Sequence, residues 1–129
     1  MTEQLYRLHL VIPGLPKILA NAKSQGWRAR HFEKKKWRNI IMSYIDHSNR
    51  PLKPLEKARL ICTRFSSHPS DFGNRVDSFK AVIDGLVAAK VLIDDNDSVI
   101  VDQTFPWIKA GTKDGHISIT VEELLNITK

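Results

Sequence analysis

The chain has 129 residues, 42% of them hydrophobic, which suits one domain with one core and argues against a disordered chain. A formal charge of +6 points to a polyanionic partner such as nucleic acid, a balance shared by ribosomal and membrane-surface proteins. One cysteine excludes an internal disulfide, and the sequence shows neither a run of about 18 apolar residues nor a secretory signal, so a reducing, cytoplasmic compartment and no membrane partner are expected.

Gln4 to Ile12 places Tyr6, Leu8, Leu10 and Ile12 in alternation with Arg7, His9 and Val11, the period of a half-exposed first strand. Pro13-Gly14-Leu15-Pro16 ends it, since proline cannot donate to a ladder, and opens a loop to Gly26 that carries Lys17, Asn21 and Lys23. Trp27 to His47 reads as a long helix, with Phe32, Trp37, Ile40, Ile41, Tyr44 and Ile45 at helical spacing. Its other side gathers Arg28, Arg30, His31, Lys34, Lys35, Lys36 and Arg38, a division that lets a helix dock on a sheet while offering cations to phosphates. A basic solvated face is the plainer alternative, and tryptophan in such a helix is more often core than a base-stacking group.

Lys57 to Phe65 alternates as a second strand, with Ala58, Leu60 and Cys62 on one face and Ile61 and Phe65 on the other. From Asn74 to about Lys90 the apolar steps Val76, Phe79, Ile83, Leu86 and Val87 predict one continuous helix. Ser98 to Lys109 reads as a strand with an edge or bulge at Pro106. Lys113-Asp114-Gly115 is a hairpin signal leading to a returning strand, His116 to Val121, and one helical turn is expected in Glu122 to Lys129. The expected fold is a single α/β (α+β) domain spanning the whole chain, with a mixed sheet of about four strands and two main helices.

Against the basic trend, carboxylates concentrate around the central helix: Asp71 before it, Asp77 and Asp84 on its flank with Lys80, and Asp94, Asp95 and Asp97 after it. Clustered carboxylates suit Mg²⁺ or Mn²⁺, which take hard oxygen ligands and can complete their shell with waters and a phosphate. The same spacing is that of capping and polar turns, and spacing alone favours that reading: Asp71 or Asn74 capping the first turn, and Asp94 to Asp97 forming a turn. Asp102, behind Val99-Ile100-Val101, fits a strand face better than a ligand. The five histidines show no zinc spacing with each other or with Cys62.

Over almost its full length the pattern resembles the RusA family of Holliday-junction resolvases. IPGLPKILANAKSQGWRARHFEKKKW is similar to the family's proline loop, asparagine and basic helix with a tryptophan. FKAVIDGLVAAKVLIDDNDSVI is similar to its lysine, its Asp-Gly-Leu helix and its aspartate pair before an apolar strand. The resemblance implies a RusA-like domain acting as a Mg²⁺-dependent endodeoxyribonuclease, Mn²⁺ being the other usable ion, that nicks opposed strands of a four-way DNA junction as a homodimer. It implies Asp71 and Asp95 as catalytic metal ligands with Lys80 offsetting charge, Asp94 and Asp77 as further ligand positions, and DNA contacts from Lys17, Asn21, Lys23, Arg28, Arg30, Lys34, Lys35, Lys36, Arg38 and Asn74. Where the family has Asp-x-Asp-Asn, this chain has Asp71-Phe72-Gly73-Asn74, and glycine offers no side-chain ligand. Either Asp77 or Asp84 replaces the missing carboxylate, or the register shifts so that Asp77 is itself the family aspartate, or the protein binds branched DNA with weakened or absent cleavage. A basic RNA-binding or phage adaptor protein is the unrelated alternative. A shared expectation of the nuclease readings is that carboxylates from the two loops flanking the helix meet.

Overall fold

The computed structural model describes residues 5–18 and 26–125. Asn21 and Lys23 therefore lie outside the described residues, as do 126–129 of the expected terminal helical turn, whose first two residues, Glu122 and Glu123, continue the last strand instead. The elements run β1 (Arg7–Pro13), α1 (Gly26–Ser43), β2 (Ala58–Ser66), α2 (Phe72–Ser78), α3 (Lys80–Ala88), β3 (Ile100–Thr104), β4 (Trp107–Lys109) and β5 (His116–Glu123). This is the mixed α+β architecture expected, with five strands where about four were read. Among the described residues no helix is long and apolar enough to cross a membrane.

The sheet order is β1-β5-β2-β3, with β4 beside β2 further along the β3 edge. β5 runs antiparallel to both β1 and β2, whereas β3 and β4 run parallel to β2. The alternations become a buried face of Leu8, Leu10, Ile12, Leu60, Cys62, Ile117, Ile119 and Val121. They join Trp37 and Ile41 of α1 and Val82 and Leu86 of α3 in a single core. Full burial pushes the Cys62 thiol up to about 12, so it stays protonated and acts as a small apolar side chain. The opposite sheet face is mixed, with Val11, Ile61 and Phe65 among its polar and charged side chains. There Arg59 pairs with Asp102 at 2.9 Å and reaches Glu122 at 3.9 Å, while Arg7 meets Glu122 at 3.5 Å. Asp102 is thus the strand-face residue its position suggested.

Three local expectations are corrected. The Lys113–Gly115 turn does not join a hairpin: β4 pairs parallel with β2, and β5 inserts between β1 and β2. Burial decides this, because Ile117, Ile119 and Val121 are fully buried between two partners, whereas the Trp107–Lys109 strand is largely exposed and would leave them at an edge. The strand read over 98–109 is two strands, divided where Phe105 turns into the core and Pro106 lacks an N–H; the Pro106 carbonyl instead accepts from the Arg64 N–H at 3.0 Å. The single helix read from Asn74 is split at Phe79 into α2 and α3. Ser78 Oγ donates to the Arg75 carbonyl at 2.7 Å, a back-bond that competes with the helical ladder. Phe79 itself is fully buried, 5.8 Å from Phe105 between ring centroids.

α1 is set down on α3 at a glycine. A Cβ on Gly85 would stand 2.7 Å from Ile41 Cβ and 3.1 Å from the Arg38 carbonyl, so the missing side chain is what lets the helices approach this closely. The loop entering α1 is tied down by Glu33, whose Oε1 accepts from the Lys17 N–H at 2.8 Å and from Trp37 Nε1 at 3.1 Å. Arg64 Nη1 donates to the Pro16 carbonyl at 2.7 Å from a buried position.

Candidate functional site: an acidic cleft beside a basic helix

α3 buries Ala81, Val82, Ile83, Gly85 and Leu86, which turns Asp84 outward. Because α1 crosses at Gly85, Lys34 and Arg38 of α1 come to stand around that carboxylate. Two adjoining hollows result. One is lined by Arg38, Asp84, Val87, Ala88, Asp94 and Asp95, and the other includes Lys34, Lys80, Asp84, Asp95, Gln103 and Phe105. Asp84 and Asp95 border both, so these two carboxylates mark the boundary where the hollows join.

Asp95 is presented by a self-supported turn. Asp94 Oδ1 accepts the Asp95 N–H at 2.7 Å and Asp94 Oδ2 accepts from Asn96 Nδ2 at 3.1 Å. Asn96 Oδ1 in turn accepts from the Ser98 N–H at 3.0 Å, Ser98 Oγ at 2.6 Å and the Val99 N–H at 3.2 Å. Short polar side chains thus satisfy the backbone between α3 and β3. The Asp95 carboxyl is raised above its ordinary value, first by its hydrogen bond with the Asp94 side chain, then by slight burial and by the negative charges of Asp94 and Asp84. Lys80 Nζ lies 3.1 Å from Asp77 Oδ1, an exposed pair beside the cleft.

The structure does not bring Asp71 to Asp95. β2 and β3 are parallel with Ala58 opposite Ile100, so the loop after Ser66 and the loop before Ile100 emerge at opposite ends of these strands. Nine residues of β2 span roughly 26 Å between those ends. Asp71 instead caps α2, its Oδ2 accepting the Asn74 N–H at 3.4 Å, and it borders neither hollow. The expected meeting of carboxylates therefore takes a different form within one chain: Asp94 and Asp95 face Asp84, which the sequence offered only as a substitute ligand. A Cβ on Gly73 would touch only Asp71 Oδ2, at 3.5 Å, so a side chain at that position has room.

The expected DNA-contacting cations fall in two groups. Lys34 and Arg38 line the cleft, whereas Arg28, Arg30, Lys35 and Lys36 are exposed elsewhere on α1, and the Lys17 side chain is exposed in the loop below it. Sequence periodicity misplaced two aromatics: Phe32 and Tyr44, read as part of the apolar face, are exposed; of the two tryptophans, for which a core position was the plainer reading, Trp37 is buried and Trp27 is 72% exposed. Arg75 was given no role, yet it ties the segment before α2 to the bend between β3 and β4, next to the cleft residue Phe105. Its Nε donates to the Phe105 carbonyl at 2.6 Å and its Nη1 to the Ser70 carbonyl at 2.9 Å.

The donor set can be tested against the implied metal. Among the described residues no three His, Cys, Asp or Glu side chains converge as a metal cage, and the cleft carries no nitrogen or sulfur ligand of the kind zinc requires. Two exposed carboxylates beside cations do suit Mg²⁺, which is commonly held by one or two carboxylates with waters and a substrate phosphate filling the shell. No protein-family model matches the chain, and no curated protein matches it significantly.

Proposed function

We propose that this protein is a Mg²⁺-dependent, structure-selective endodeoxyribonuclease of the RusA type, acting on four-way junctions in recombination and repair. The observation that supports this most is the pairing of Asp84 and Asp95 across a cleft walled by Lys34, Lys80 and Arg38. Opposite charges so arranged accept a divalent ion and a phosphodiester together, which a purely structural helix cap has no need to do. Asp84 and Asp95 are the residues that hold the ion, with Asp94 fixing the turn that presents Asp95. When bound, Mg²⁺ supplies electrophilic activation of the phosphodiester. Lys80, Lys34 and Arg38 orient the strand and offset the charge that builds on the phosphate oxygens. Lys35, Lys36 and Arg28 follow the backbone away from the cut, and a symmetric homodimer sets one cleft on each of two opposed strands.

The test is cleavage and binding of a synthetic four-way junction by Asp95→Asn, Asp84→Asn and Asp71→Asn. The first two are expected to bind the junction and lose cutting by at least about a hundredfold, the scale of losing one electrostatic group in a reacting site. Asp71→Asn is expected to cut normally, since asparagine caps a helix as well as aspartate does. Undiminished cutting by Asp95→Asn and Asp84→Asn sinks the assignment.

A second reading is favoured by Gly73 and by the distance of Asp71 from the cleft: a branched-DNA-binding protein that does not cut. Nicks in the junction at stoichiometric protein with Mn²⁺ exclude it.

A further inference from the structure

The exposed indole of Trp27 has no use in the nuclease reading. On α1, Trp27, His31, Lys34 and Arg38 stand at i, i+4, i+7 and i+11, which keeps them within one narrow stripe. The buried stripe is Glu33, Trp37 and Ile41, so this second stripe flanks it on the solvent side. Its Lys34 and Arg38 end line the two hollows around Asp84 and Asp95. Its Trp27 end carries a ring that is 72% exposed, with the Arg28 guanidinium 5.8 Å from the ring centroid and His31 edge-on at 6.4 Å. The charge along it is all of one sign, because Glu33 is the sole carboxylate of α1 and it is buried against Lys17 and Trp37.

We infer that this stripe is a track for an unpaired DNA strand, with Trp27 stacking on a base a short way from the phosphate held at the Asp84–Asp95 cleft. Trp27 precedes Lys34 by seven residues, a helical rise of about 10 Å, which is about three nucleotides of a stacked strand at roughly 3.4 Å each. Phosphates alone would be served by the cations. A large flat ring among them suits a base whose face is free, because stacking on aromatic side chains is how single strands are held without sequence preference. Paired bases in continuous duplex have their faces covered by neighbours and gain nothing from Trp27. The track rests on the nuclease reading for its direction, and it narrows the substrate: branched DNA with unpaired nucleotides next to the scissile bond, in preference to a fully paired junction.

The experiment is fluorescence anisotropy with labelled oligo(dT) and a labelled duplex of equal length, in chelator so that no cutting intervenes. Wild type is expected to bind oligo(dT), and Trp27→Ala to bind it about tenfold more weakly, the effect of losing one stacked base. Duplex affinity is expected to change by less than about twofold, since the backbone contacts remain. Trp27→Phe, which keeps a stacking face, is expected to recover most of the loss. Absence of oligo(dT) binding by wild type overturns the track, as does unaltered binding by Trp27→Ala or an equal loss on single strand and duplex. Trp27-dependent oligo(dT) binding by a protein that cuts no junction supports the strand track and removes the nuclease reading, so the two failures are separable.

Discussion

Lys90 is the one described non-glycine residue with positive φ, at 65°. It closes α3 in a Schellman arrangement, its N–H donating to the Val87 carbonyl at 3.0 Å while the Val91 N–H reaches the Leu86 carbonyl at 2.9 Å. Glycine takes that conformation without steric cost, so Lys90→Gly is expected to stabilise the fold by about 1 kcal/mol, read from urea denaturation. Asp95 stores strain of another kind. Its folded carboxyl is raised, so the folded state prefers it protonated; the stability that preference contributes is present at acid pH and is lost as pH rises through the folded value. Asp95→Asn removes the like-charge repulsion with Asp94 and Asp84, and is therefore expected to raise the melting temperature at neutral pH but not at acid pH. A gain at pH 7 that accompanies loss of cutting would mark Asp95 as held for function at a cost in stability, and an equal shift at both pH values would contradict the electrostatic cause. At this scale the sequence was partly legible. The aspartate pair announced itself as an isolated acidic patch in a basic chain, but nothing in Lys90 or in the exposure of Trp27 distinguishes either residue in one dimension.

Among the elements, the α1–α3 contact is the one that builds the cleft. Gly85→Ala would ordinarily gain helix propensity of up to about 1 kcal/mol, but its methyl would enter Ile41 and approach the Arg38 carbonyl, which is backbone and cannot swing aside. Overpacking outweighs propensity here, and the substitution is expected to destabilise the protein by about 1–2 kcal/mol in thermal melts; under the nuclease proposal it also weakens junction cutting by displacing Lys34 and Arg38. A variant as stable as wild type would show that the helices can separate freely. Periodicity made β1, α1 and β2 readable because each has one buried side that the alternation or the 3.6-residue stripe exposes directly. It failed at α2–α3, where a Ser78 back-bond breaks a helix without breaking its apolar stripe, and at β4–β5, where a turn signal was sound locally while strand partners were chosen by burial elsewhere.

At the scale of the molecule, the direction of β3 decides what the flanking carboxylates can do. Periodicity along the chain announced the mixed α+β class, and the strand count was off by one. Whether β3 lay parallel to β2 was not encoded in any local pattern, and that single fact puts Asp71 and Asp95 at opposite ends of the strands and leaves Asp84 as the facing carboxylate. The concealment of Glu33 has a consequence of its own. α1 carries six Lys and Arg with its lone anion turned inward, so the helix surface repels itself. A polyanion that settles on it relieves that repulsion and favours the native state by mass action, so heparin or DNA is expected to protect the protein against heat even where no metal is present and no bond is cut. High salt is expected to mimic part of this protection by screening the same repulsion, so a melting temperature that climbs with ionic strength in the absence of any polyanion would trace the effect to the crowding of cations on one helix.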